Sequence, residues 1–274
     1  MSQPAVAALS PLPFELVLDD GRPLEKDWHS IQLPLLQDLL YQAMAEQGRN
    51  DVFAGADIFV YYSVQQAREV WEEVTQGIET RAFRGPDVFW VGGVDPDRER
   101  EAWIAWEEDG RLPDVIFEML SYSTAEKDLN EKKKIYERDF RTAEYFLFNP
   151  YTRILQGFRL ADGAYRPIPP DRKGRLWSEQ LGVFVGLWRG AFKQKKRKGT
   201  WVRLFRPDGT LVPTEAEAEG QRADAERQRA EAERQRADTA EQQADAERQR
   251  ANEAEAELTR LRALLAETTS PESS

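Results

Sequence analysis

The chain has 274 residues, 41% of them hydrophobic, with 49 acidic and 38 basic side chains and a net charge of −11. The absence of cysteine and the presence of a single histidine, His29, exclude disulfides, thiolate zinc sites, cysteine nucleophiles and multi-histidine cages. A bound metal must therefore take mainly oxygen ligands, which points to magnesium, manganese or calcium, and the negative balance argues against tight, nonspecific nucleic-acid binding by the molecule as a whole.

The N-terminus has neither a basic start nor a sustained apolar run, so no secretory signal is expected. No stretch approaches the roughly 20 apolar residues of a membrane span. The cytoplasm is the expected compartment, with no membrane partner. Residues 1–26 read as an irregular lead-in, because Pro11, Pro13, Gly21 and Pro23 discourage helix. A helix follows, with Ile31, Leu35, Leu36, Leu39, Leu40, Ala43 and Met44 at helical spacing and Gly48 as its stop. Trp28 and His29 lie at its entrance, where a lone histidine reads as structural.

Strands are expected at 58–62, 87–91, 102–106 and 115–120, where β-branched and aromatic residues concentrate. A charged helix runs from Thr124 to Arg138 with Ser123 or Thr124 as cap. Strands at 145–148, 153–160, 164–168, 200–205 and 210–212 complete the pattern, the last after the Pro207-Asp208-Gly209 turn. The run Lys193, Lys195, Lys196, Arg197, Lys198 reads as a solvated loop between strands, or as a phosphate-contacting patch. This order describes an α/β domain with a mixed sheet over residues 1–213.

All 8 Trp, 8 Tyr and 13 Phe fall at or before Phe205, so the core belongs there. From about Thr214 the composition turns to Ala, Glu, Arg, Gln and Asp in a seven-residue repeat. Ala223, Ala230, Ala237, Ala244 and Ala251 form one heptad column, continued by Leu258 and Leu265. Helix formation is expected over the tail, 214–274, with a disordered end. The second column (Glu226, Glu233, Ala240, Glu247) is poor until Ala254 and Leu261, so any coiled coil is weak. The chain could form homo-oligomers through its domain or this helix, or the helix could stand alone in solvent.

No Walker or dinucleotide glycine loop, Gly-x-Ser-x-Gly elbow or His-Glu-x-x-His is present. Carboxylates in strands carry more information. Glu118 interrupts the apolar run Val115-Ile116-Phe117-Glu118-Met119-Leu120, where an unpaired charge is costly. Alternation puts Ile116, Glu118 and Leu120 on one face. Asp87 follows Gly85-Pro86 at a strand edge. On neighbouring strands these two acids could hold a metal through oxygen, or Glu118 could simply pair with a basic side chain. Asp128, Lys132 and Tyr136 are four residues apart, so each step rotates only about 40° and all three share a helix face.

The ordered set Pro86-Asp87-Val88, Phe117-Glu118-Met119-Leu120-Ser121-Tyr122-Ser123-Thr124, Asp128-x-x-x-Lys132-x-x-x-Tyr136 and Glu144-Tyr145-Phe146-Leu147-Phe148-Asn149-Pro150 resembles the Uma-two family of restriction-endonuclease-like proteins, in the PD-(D/E)XK nuclease superfamily. The resemblance covers roughly residues 10–210. It implies a restriction-endonuclease-like mixed sheet flanked by helices, DNA as substrate, and magnesium or manganese held by Asp87 and Glu118. The superfamily lysine normally stands two residues after the acid, where this chain has Leu120; Lys132 on the following helix takes its place. Tyr122 stands where the family usually has proline. Asp128 and Tyr136 match the helix motif as supporting residues. Pro113-Asp114 is a rival acidic pair, ranked lower because Asp114 shares a strand with Glu118. The functions that follow are a metal-dependent endodeoxyribonuclease, or a nuclease-fold module that does not cut and recruits or assembles partners through its tail.

Overall fold

A computed structural model describes residues 12–18, 28–78, 83–120, 126–192 and 197–268. The chain divides into two compact units, Met1–Glu215 and Ala216–Ser274. The first is built on a six-stranded sheet in the order β1 (Val52–Ala56), β3 (Val88–Gly92), β5 (Val115–Met119), β6 (Glu144–Asn149), β7 (Ile154–Ala161), β8 (Ala164–Pro167). Only β5 and β6 run parallel; the other neighbours are antiparallel. The expected mixed α/β sheet is therefore present.

The period-2 pattern of β3, β5 and β6 sorts their side chains between two cores. On one face Val88, Trp90, Val115, Phe117, Phe146 and Phe148 pack with α1 (His29–Glu46) and with a smaller sheet of β9 (Leu176–Ser178), β10 (Val183–Phe192) and β11 (Arg197–Phe205). On the other, Phe89, Val91, Ile116 and Tyr145 pack with Tyr136 and Phe140, which follow α3 (Glu126–Lys134). A parallel pair, β2 (Val60–Tyr61) with β4 (Trp103–Ile104), borders that second face. Because β5 is central and covered on both sides, it reads as a continuous apolar run apart from Glu118.

Several elements differ from expectation. The strand expected at 58–62 shrinks to β2, while β1 and the helix α2 (Val64–Gln76) were not foreseen. The α2 boundaries are conventional: Ser63 Oγ accepts from Gln66 N at 3.1 Å, and Gly77 closes the helix at φ 69°. The strand expected at 102–106 is β4 followed by a 3₁₀ turn at Ala105–Glu107. The strand expected at 200–205 is the end of the nine-residue β11, paired with the ten-residue β10. At 210–212 only a bridge between Phe205 and Leu211 forms. Lys193, Lys195, Lys196, Ser123 and Thr124 lie outside the described residues, whereas Arg197 and Lys198 open β11.

The second unit is α4 (Glu215–Thr268), 54 residues of helix whose described side chains from Glu219 onward are exposed. Asp224–Arg227 and Asp245–Arg248 form ion pairs at 3.8 and 3.7 Å, one repeat pattern seen three heptads apart. Such pairs add only a few tenths of a kcal/mol each, so good helix formers carry most of its local stability. Among the described residues, no helix is long and apolar enough to cross a membrane.

Candidate active site

The site begins with a register. Val88 pairs with Phe117 across β3 and β5, so the next step along both strands sets Asp87 opposite Glu118. Strand pairing stops there. In its place the Asp87 carboxylate reaches across, its Oδ2 accepting from Met119 N at 2.6 Å. The backbone of Asp87 also accepts, from Asp57 N at 3.0 Å. Gly85 lets the incoming chain pass close: a Cβ there would stand 2.6 Å from the Ile58 carbonyl oxygen.

Glu118 is 2% exposed. Its charge is answered from α3 and the turn beyond it. Lys132 Nζ donates to Oε1 and Oε2 at 3.0 and 3.1 Å, and lies 3.4 Å from the Gly85 carbonyl. The Tyr136 hydroxyl donates to Oε1 at 2.5 Å. Between these two donors the helix widens: Ile135–Asp139 is a π-helical turn, closed by Phe140 N on Ile135 O at 2.9 Å. The extra residue per turn inserts where α3 meets the sheet, a placement common at functional sites. The ion-pair reading of Glu118 and the shared face of Lys132 and Tyr136 thus describe one arrangement. The side chain of Asp128 lies outside the described residues.

The electrostatics follow from burial and like charge. Desolvation, then repulsion from Glu118, pushes the Asp87 carboxyl from 3.8 up to about 7, although Lys132 and the Met119 amide pull the other way. Burial and the Glu118 charge hold the Tyr136 phenol well above its ordinary range, so it stays a donor. Tyr145 on β6 is shifted the same way, by burial first and Glu118 second. Its hydroxyl is buried without a hydrogen-bond partner among the described residues. Sequence reasoning passed over Tyr145, whose alternation with Phe146 marks it as core and gives no sign of the neighbouring carboxylate.

The remaining candidates fall elsewhere. The rival acid Asp114 directly precedes β5, at the end of the strand away from Glu118, where its Oδ2 accepts from Gly92 N at 2.9 Å. His29 is buried at the head of α1, edge-on to Trp28. No cluster of three or more His, Cys, Asp or Glu suited to a metal occurs among the described residues. Two carboxylates, one lysine and one phenol therefore make up the acidic centre, and any metal held there would have further coordination from water or substrate.

The profile of the Uma2 family, described as "Putative restriction endonuclease", matches residues 13–191. Among solved structures, "a putative nuclease belonging to DUF820" from Anabaena variabilis ATCC 29413 is similar over 58% of this chain and 76% of its own, at 12% identity and a TM-score of 0.39. Among curated proteins no relative matches.

Proposed function

Because the chain belongs to the Uma2 family of restriction-endonuclease-like proteins, we propose that it is a metal-dependent endonuclease that hydrolyses DNA phosphodiester bonds at Asp87, Glu118 and Lys132. The observation that carries this reading is the pairing of Asp87 and Glu118 across the β3–β5 step, with Lys132 and Tyr136 closing on Glu118. Burial, and after it repulsion from Glu118, drives Asp87 up to about 7, and a divalent cation shared by the two carboxylates would offset both. The donors are oxygens, which suits magnesium or manganese. Bound there, the ion would lower the pKa of a coordinated water and offset charge on the phosphate.

The protein's own groups then have separate tasks. Asp87 is held by the Met119 amide, which fixes its carboxylate opposite Glu118 in the β3–β5 register. Tyr136 fixes one Glu118 oxygen and, being kept protonated, cannot compete for the metal. Lys132 brings a positive charge to the pair and is placed to neutralise charge developing on the phosphate. Asp128 is assigned a supporting role toward Lys132 from its helix position.

Incubating the purified protein with supercoiled plasmid and Mg²⁺ or Mn²⁺ tests the proposal. The expected result is nicking that EDTA stops and that Glu118→Ala reduces by at least a hundredfold. Equal nicking by wild type and variant, or none by either, would overturn it. One observation favours a second reading, a binding module that does not cut: Lys132 and Tyr136 already satisfy Glu118. Calorimetric titration with Mg²⁺ separates the two, since that module needs no uptake of metal dependent on Asp87 and Glu118.

A further inference from the structure

A cleft of about 610 Å³ opens on the hairpin side of the sheet, lined among others by Trp28, Pro150, Arg153, Arg189, Lys198 and Trp201. Its position is set by the strands. β5 and β6 are parallel, with Met119 beside Phe148, so Asn149 and Pro150 leave the sheet at the same edge to which β5 brings Glu118. The turn that follows is pinned by its own side chain: Asn149 Oδ1 accepts from Tyr151 N and Thr152 N at 2.9 and 3.0 Å. Arg153 N donates to Asn149 O at 2.7 Å, leaving Arg153 at φ 59°.

The hairpin supplies the other wall. Arg189 pairs with Thr200 and Ala191 with Lys198, so these four side chains share one face of the ribbon. Trp188 and Trp201 pair on the opposite face, as do Gly190 and Gly199. The glycines are needed because each indole lies along its strand over the neighbouring glycine; a Cβ at Gly199 would stand 2.8 Å from the Trp201 ring, and one at Gly190 would overlap Trp188. Trp201 in turn stacks on Trp28 at 5.9 Å and 5°. Arg153, Arg189 and Lys198, from two elements, all line the cleft, and none forms an ion pair among the described residues. Several other arginines of the domain are paired, as Arg84 with Glu73, Arg159 with Glu144 and Arg206 with Glu46.

We infer that this cleft binds the phosphodiester backbone of a polynucleotide, flanking the bond presented to Asp87 and Glu118. The inference rests on the nuclease reading and answers a difficulty in it. Two carboxylates repel a polyanion, so attraction has to come from beside them. Residues 1–213 hold 33 acidic and 29 basic side chains against 16 and 9 in 214–274. The domain is therefore close to balanced, and the three cations lining the cleft bring positive charge to the sheet edge at which β5 ends.

The test is fluorescence anisotropy of labelled 20-nucleotide single-stranded and duplex DNA with the full chain, in EDTA, across a salt series. Three proteins are compared: wild type, Arg153→Ala/Arg189→Ala/Lys198→Ala, and a charge-matched control, Arg166→Ala/Arg172→Ala/Lys173→Ala, whose cations are exposed outside the cleft. The cleft variant should bind at least tenfold more weakly, with its log–log salt slope shallower by about 2 to 3, since each lost phosphate contact removes about 0.7 to 0.9. The control should fall by less than threefold. No binding by wild type, or equal losses in the two variants, or a cleft variant that binds like wild type, overturns the inference. Metal uptake and nicking are read separately: a cleft variant with normal affinity beside a metal-dependent, nicking wild type sinks the cleft alone. A cleft variant that loses DNA beside a wild type that neither binds Mg²⁺ nor cuts sinks the endonuclease reading and keeps the cleft.

Discussion

At the scale of single residues, Asp87 stores an electrostatic penalty. Its carboxyl titrates near 7 in the folded protein against 3.8 ordinarily. Between those values the folded state holds a proton that the unfolded state has lost. Stability therefore falls as pH rises through this window and stays low above it. Asp87→Asn keeps an oxygen to accept from the Met119 amide and removes the charge. In metal-free buffer it should raise Tm at pH 8, with the gain shrinking toward pH 4, as thermal unfolding across that range will show; a gain independent of pH would remove the raised Asp87 carboxyl as the cause. Glu118, Lys132 and Tyr136 were legible because a carboxylate inside an apolar strand demands a partner and the four-residue spacing offered two. Met119 N, the Gly85 carbonyl and Tyr145 were not, since backbone groups carry no sequence signature and a tyrosine in a strand looks like any core aromatic.

At the scale of elements, the misread segments share a cause: small or polar residues hid the period. β1 contains Ala54-Gly55-Ala56, which lacks strand-forming side chains, yet Phe89 packs so close that a Cβ at Gly55 would collide with its ring. In β10 and β11 Gly190 and Gly199 weaken the strand pattern while making room for Trp188 and Trp201. α2 buries only Gln66, Ala67 and Val70, too few to stand out, although Ser63 and Gly77 mark both ends. With so little burial, that cap matters. Ser63→Ala should cost about 0.5–2 kcal/mol in denaturant unfolding, whereas Ser63→Asn should stay within a few tenths of wild type. Equal stability of all three proteins would show that α2 is held by tertiary contacts alone.

At the scale of the whole molecule, the abrupt change in composition at Thr214 falls beside the start of α4 at Glu215. The hydrophobic pattern there gave helix readily but left association open, because most of the helix has only alanine to offer. Leu258 and Leu261 are 55% and 49% exposed in the single chain, so weak self-association through that end is expected. Sedimentation of the full chain against a chain ending at Glu215 should show a concentration-dependent rise in mass for the former only. Identical behaviour would assign the tail no role in assembly. The first of these leucines, Leu258, lies 43 residues beyond Glu215, about 65 Å along the helix axis at 1.5 Å per residue. A pair of chains joined there would be a bivalent ligand on long spacers. Each domain could then grip its strand weakly, and avidity from the shared tether would supply residence time that neither cleft has alone.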